Sequence, residues 1–236
     1  ASADLDEWVG HYTISDDLDE RHELYNNYDG ETVEALTEMG AVVLVAHTEH
    51  RDLQVLSGLA EHGLAGVEMF NLHAMVDPNK RSEDLGLDPT SWLTDAAPFT
   101  SPDGTAEPDL MFLAFYQEQA VSVEIWDDLS ALGATVGVAG TDAHQNVIDL
   151  KLRDGERLDS YRRMIRWFSN WLLVKEDTPT GYREALSSGR AYAVFEALGT
   201  PVGMDVSVLS DGERVEVGGE GKVGDVMTVI CPILSY

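Results

Sequence analysis

Cysteine occurs once, at Cys231, so the chain cannot form an intrachain disulfide or a thiolate cluster. Any metal site must therefore be built from imidazole and carboxylate. Basic residues are also few. Lys and Arg together number 15 against 43 Asp and Glu, a net charge of −28, and lysine is scarcer than arginine. A surface so charged repels DNA, RNA and anionic membranes, which argues against a nucleic-acid partner. The same balance fits an exported protein (periplasmic or extracellular), a cytoplasmic protein of a high-salt organism, or simply a very soluble acidic surface. No apolar run reaches transmembrane length, so membrane insertion is not expected. The opening Ala1-Ser2-Ala3-Asp4 does not read as a signal peptide and has no initiator Met, which suggests upstream residues. Internal repeats and low-complexity tracts are missing.

What is present suits a globular α/β protein. The 236 residues are 44 % hydrophobic, enough for one large domain, or one domain with a small companion. Residues 1–29 are acidic and irregular. Val33, Leu36 and Met39 recur at helical spacing and Gly40 is a natural stop, predicting a helix over 32–39. The apolar run Ala41–Ala46 predicts a buried parallel strand. A second helix is expected over 53–61 and a second strand over 64–70. Residues 77–108, rich in Pro, Asp, Ser and Gly, read as an insertion with short helix. Helices are expected over 109–119 and 122–132, then a strand from Ala134, a mostly helical stretch over 158–174, and a helix over 180–188. From Arg190 the pattern changes to short strands, 190–198, 203–209, 213–217 and 225–231, with Gly-rich turns between them. These predict an antiparallel β module at 190–236, after a first domain at 1–189.

Polar and titratable residues gather where the apolar strands end. His47-Thr48-Glu49-His50-Arg51-Asp52 follows the first strand. Glu68 lies inside the second, where a carboxylate is costly to bury without a partner, and Asn71 and His73 follow. Asp142 and His144 come after the third, two residues apart, and in an extended segment such residues point the same way. Parallel α/β folds gather their strand C-termini on one face, so these groups can converge. Imidazole and carboxylate together suit Zn²⁺, Mn²⁺ or Fe. The plainer alternative is that Asp142 caps a helix beside an incidental His144.

The stretches VVLVAHTEHRD (42–52), GVEMFNLHA (66–74) and GVAGTDAHQN (137–146) resemble the polymerase-and-histidinol-phosphatase (PHP) metallohydrolases, most closely the branch with carbamate-hydrolysing members. REALSSGRAYAVFEALGTPVG (183–203) resembles the end of that domain running into a β module. The resemblance implies the C-terminal part of a distorted (β/α)₇ barrel with two or three divalent metal ions at the strand C-terminal face. By motif, His47 resembles the ligand of the family's Ala-His-Pro, Asp142 and His144 its Ser-Asp-Ala-His pair, and His11, in Val-Gly-His-Tyr, the His that follows a bridging Glu. Glu68 and Asn71 fall at a Gly-x-Glu-x-x-Asn strand end as substrate-pocket residues, and His73 beside them is the expected proton donor. The implied reaction is hydrolysis of a small-molecule ester, a phosphoester first, by metal-bound hydroxide.

This chain departs from the family at several points. Thr48 replaces the usual Pro, and the opening His-x-His, the Thr-Asp-His and the bridging Glu are missing. Two other readings stand beside the hydrolase: a catalytically inactive barrel used for binding, and an amidohydrolase-type carbamate or amide hydrolase. The missing motifs, and only about four barrel-type strands, predict that the chain is part of a longer enzyme and inactive alone. The sequence leaves the substrate, the metal and the oligomeric state open.

Overall fold

A computed structural model describes residues 28–133, 135–143, 145 and 149–231. Two helices lead into the sheet. Helix α1 (Gly30–Glu38) is capped by Asp29, whose carboxylate accepts from the Glu31 amide at 3.0 Å. Helix α2 (Leu53–Glu61) is capped by Asp52 in the same way, from the Gln54 amide at 2.7 Å. Strand β1 lies between them. Of the apolar run 41–46 only Leu44–Val45 enters the ladder.

Strand β2 (Gly66–Asn71) is the centre of the sheet. It pairs in parallel with β1 on one side and with β3 (Val136–Gly140) on the other, giving the order β1-β2-β3. Gly66 permits this spacing, because a Cβ there would lie 1.9 Å from the Val136 carbonyl oxygen. β2 runs between two apolar clusters. Around Val67 gather Val33, Leu56, Leu59, Ile125 and Leu129 from α1, α2 and helix α4 (Ala120–Ser130). Around Phe70 gather Met75, Phe112, Phe115, Trp167 and Phe168, with Trp92 from helix α3 (Trp92–Thr100). Burial on this scale is the main stabilising term of the fold.

Three expected elements differ. Residues 109–119 do not form an α-helix. Pro108 opens a 3₁₀ segment, Pro108–Ala114, and the chain then turns so that the Gln119 side chain is buried against β2. Residues 158–174 are helical only at α5 (Tyr161–Ile165); Ser169–Leu172 is strand β4. Trp167 and Phe168 fill the Phe70 cluster instead of marking one helix face, Phe168 meeting Phe70 edge to face at 5.7 Å. Asn170 supplies the second reason. Its side-chain amide accepts from the Ala139 N–H and donates to the Ala139 carbonyl, both at 2.9 Å, and so clips β4 to the edge of β3. The third difference follows helix α6 (Pro179–Ser187). The stretch expected to open the tail module forms β5 (Ala191–Val194), which pairs antiparallel with β4 and with none of the tail strands.

The separate antiparallel sheet begins at Asp205. Strand β6 (Asp205–Ser210) lies between β7 (Glu213–Glu216) and β8 (Val226–Ile230). The protein is thus a mixed α/β structure with a parallel sheet and two antiparallel sheets. Among the described residues the parallel sheet does not close into a barrel, and no helix is long and apolar enough to cross a membrane.

Candidate functional site

The C-terminal ends of β1, β2 and β3 open on one cavity of about 330 Å³. His47, Glu49, Arg51, His73, Asp77, Lys80 and Asp142 line it. Two of these residues hold backbone conformations that L side chains seldom adopt: His47 at φ 56° and Asp142 at φ 47°. Such strain gathers at functional sites. It also changes the local argument at Asp142. The strand ends at Gly140, so the extended geometry expected to align Asp142 with His144 does not hold at Asp142. His144 and His11 lie outside the described residues.

The imidazoles of His47 and His73 converge on one carboxylate oxygen. His73 Nδ1 lies 2.9 Å and His47 Nε2 3.8 Å from Asp142 Oδ2. Glu68 and Asn71 stand behind His47. The His47 amide donates to Glu68 Oε2 at 3.0 Å, and Asn71 Nδ2 donates to the same oxygen at 3.1 Å while lying 3.3 Å from His47 Nδ1. Glu68 and Asn71 are three residues apart, an odd spacing that puts side chains on opposite faces of a regular strand. They meet because the register slips at this point. Glu68 sits opposite Val138 and Phe70 opposite Ala139, which leaves Met69 as an extra residue. Gly140 makes room for the carboxylate, since a Cβ there would lie 1.8 Å from Glu68 Oε1.

Further groups fix this cradle, and sequence reasoning did not single them out. Gln119 clamps the end of β2: its Oε1 accepts from the Asn71 amide at 3.0 Å and its Nε2 donates to the Asn71 carbonyl at 2.6 Å. Asn71 Oδ1 in turn accepts from the Ala74 amide at 2.9 Å, which sets the loop that carries His73. The buried Arg81 guanidinium donates to the Met75 carbonyl at 2.8 Å and to the Asp88 carbonyl at 2.9 Å, and holds the same loop from below. Its burial lowers its pKa, because the charge is held mainly by neutral acceptors. Glu49 is buried with its carboxylate 3.7 Å from His47 Nδ1. That carboxylate raises the His47 pKa above its ordinary value, against the opposing effect of burial, with Glu68 and Asp142 adding to the rise. The crowding of 47–52 was the available signal for Glu49. Gln119 is 48 residues from its partner and gave none.

The donor set fits a divalent cation. When His47 Nδ1 carries its proton toward Glu49, the Nε2 lone pair is left facing Asp142, the carboxylate–histidine arrangement that commonly orients a metal ligand. A tighter trio exists elsewhere. Among the described residues, Asp109, Asp154 and Glu156 are the one group whose three donor atoms all lie within 4.8 Å of one another. Cations already fill it. Arg163 Nη1 contacts Asp109 at 2.5 Å, its Nη2 contacts Asp154 at 2.8 Å, and Arg162 Nη1 contacts Asp109 at 2.9 Å. Three carboxylates that share two guanidiniums have no need of a metal, so that cluster is structural.

Comparison of the chain with family models, with curated proteins and with solved structures finds no match. The chemistry must therefore be argued from the cavity itself.

Proposed function

We propose that the cavity at the ends of β1, β2 and β3 is the active site of a divalent-metal-dependent hydrolase of small anionic esters, phosphoesters first, and that the parallel sheet is an arc of a PHP-type (β/α)₇ barrel. The observation that carries this reading is the convergence of His47 and His73 on Asp142 at three adjacent strand ends. His47 and Asp142 would hold the ion, with His144 and His11 as the further ligands that the resemblance implies, and Zn²⁺, Mn²⁺ or Fe would suit them. When bound, such an ion supplies Lewis acidity and lowers the pKa of water.

The chain's own residues supply the rest. Asp142 accepts from His73 Nδ1, so a protonated His73 would carry its second proton on Nε2 and, passing it to a leaving oxygen, would return to the neutral ring. Glu68 and Asn71, expected as substrate-pocket residues, stand behind His47 instead of lining the cavity; Glu68 accepts from the His47 amide and from Asn71, and so fixes the backbone that presents the ring. Arg51 and Lys80 are the cations among the lining residues and would answer the charge of an anionic ester, beside Glu49, Asp77 and Asp142.

The test is hydrolysis of bis(p-nitrophenyl) phosphate and of a carbamate ester by protein expressed from its full coding sequence, with Mn²⁺ or Zn²⁺ added. Turnover should need the ion, and His73→Asn should lower kcat by about 10²-fold or more. Turnover that survives chelation would contradict the proposal. Tight metal binding without turnover on either ester would favour the inactive binding module.

A further inference from the structure

A second cavity, about 680 Å³ in volume and larger than the one at the strand ends, opens where the antiparallel β4–β5 pair meets the tail sheet, with Leu172, Val174, Tyr192, Met204, Val206 and Val217 in its wall. That size and apolar character suit a drug-sized organic molecule. Two cations, Arg190 and Lys175, also face it. In a chain of net charge −28, basic side chains are expected to be taken up by carboxylates. Arg162, Arg163 and Arg214 follow that rule. Arg190 and Lys175 do not: no ion pair holds either of them among the described residues, and the Arg190 Nε is buried with no hydrogen-bond partner. The Nε–H is sealed from solvent, so an incoming anion would meet the outer guanidinium nitrogens, which no carboxylate holds among the described residues.

The acids that line the same cavity do not fill this role. Asp205 and Glu216 are both engaged by Arg214, the second at 2.7 Å. The turn after β7 closes over Arg190 only because residue 218 is glycine. It sits at φ 83°, and a Cβ there would lie 2.4 Å from the Ser188 carbonyl oxygen and 2.6 Å from Arg190 Cγ. The enclosure of the Arg190 backbone is thus built into the sequence of the tail.

We infer that this cavity binds a free amphipathic monocarboxylate, its apolar body against Leu172, Val206 and Val217 and its carboxylate on Arg190, with Lys175 at the mouth. The site is separate from the proposed hydrolase centre and stands whether or not that centre turns over. The protein's overall negative charge does not forbid it, because salt screens charges beyond about 10 Å while a contact pair at Arg190 is screened much less.

Titration calorimetry of the full chain with decanoate, and separately with decanol, tests the assignment. Decanoate should bind one to one and more tightly than decanol. Arg190→Gln should weaken decanoate about tenfold or more and leave decanol unchanged. Lys175→Gln, at an exposed position where folding is not at risk, should weaken decanoate by a smaller factor. Val206→Trp should block both molecules. The inference is overturned if decanoate shows no saturable binding, if decanol binds equally well, or if decanoate affinity is the same in wild type, Arg190→Gln and Lys175→Gln with circular dichroism showing every variant folded.

Discussion

Two groups of carboxylates in this molecule carry similar charge and differ in what answers it. Asp109, Asp154 and Glu156 face the guanidiniums of Arg162 and Arg163, and the Arg163 side chain is fully buried among them. Glu49, Glu68 and Asp142 face imidazoles, an amide and backbone N–H groups. Arginine stays charged throughout the accessible pH range, so the first group always has Arg162 and Arg163, with Arg166 3.7 Å from Asp109, to answer its charge. An imidazole holds its proton reversibly, so under the proposed function it is the second group that would exchange a proton for a metal ion, although the first is the more compact.

The largest effect is expected from breaking the closed cluster. Arg163→Met should cost about 3 kcal/mol in urea denaturation, toward the low end for a broken buried pair because its carboxylates stay partly solvated. Combined with Arg162→Gln, it should also turn Asp109, Asp154 and Glu156 into a cation site. Ca²⁺ would then raise the melting temperature of the double variant and not that of the wild type.

Next comes the clamp on β2. Gln119→Leu leaves the buried Asn71 amide and carbonyl without their partner, at a cost of about 2 kcal/mol. The same unfolding experiment checks it. An unchanged midpoint would mean that the clamp does not hold the site in place.

The pH dependence should be smaller and should belong to the arginine cluster. The hydrogen bonds from Arg162, then from Ser160, hold Glu156 down to about 2 from an ordinary 4.5. A depressed carboxylate contributes stability that is intact above its unfolded value and lost as pH falls through its folded one. Thermal midpoints should thus fall between pH 4.5 and 2 in the wild type, and the part owed to Glu156 should shrink in Arg162→Gln, where Ser160 and Arg163 still favour the carboxylate. Smallest of all is the Lys222–Asp211 pair, exposed on both sides. Lys222→Gln should change stability by about 0.5 kcal/mol or less.

The site was legible in the sequence wherever chemistry follows an apolar run. His47, His73 and Asp142 each stand just past a strand end, and the structure brings these three to one cavity, with Glu68, inside β2, behind His47. What sequence spacing hides is pairing across distance. Neither the slip at Met69 that lets Glu68 reach Asn71, nor the Gln119 clamp, nor the Asn170 amide that bonds Ala139, leaves a periodic mark. The stretch 158–174 departs from its expected helix for a related reason. Trp167 and Phe168 are buried in the Phe70 cluster, and burial alone does not separate a helix from a strand that follows a short helix. The 190–198 stretch does form a strand, but hydrophobic pattern does not say which neighbour a strand will choose.

The most direct measurement is Zn²⁺ or Mn²⁺ binding to the wild type, to Asp142→Asn and to Asp109→Asn, followed by calorimetry at neutral pH. The account predicts that Asp142→Asn lowers affinity by about a hundredfold or more, beyond the loss usual for a residue that only orients a ligand, and that Asp109→Asn leaves it unchanged. Affinity that survives Asp142→Asn and falls with Asp109→Asn would place the metal in the arginine cluster and contradict the account.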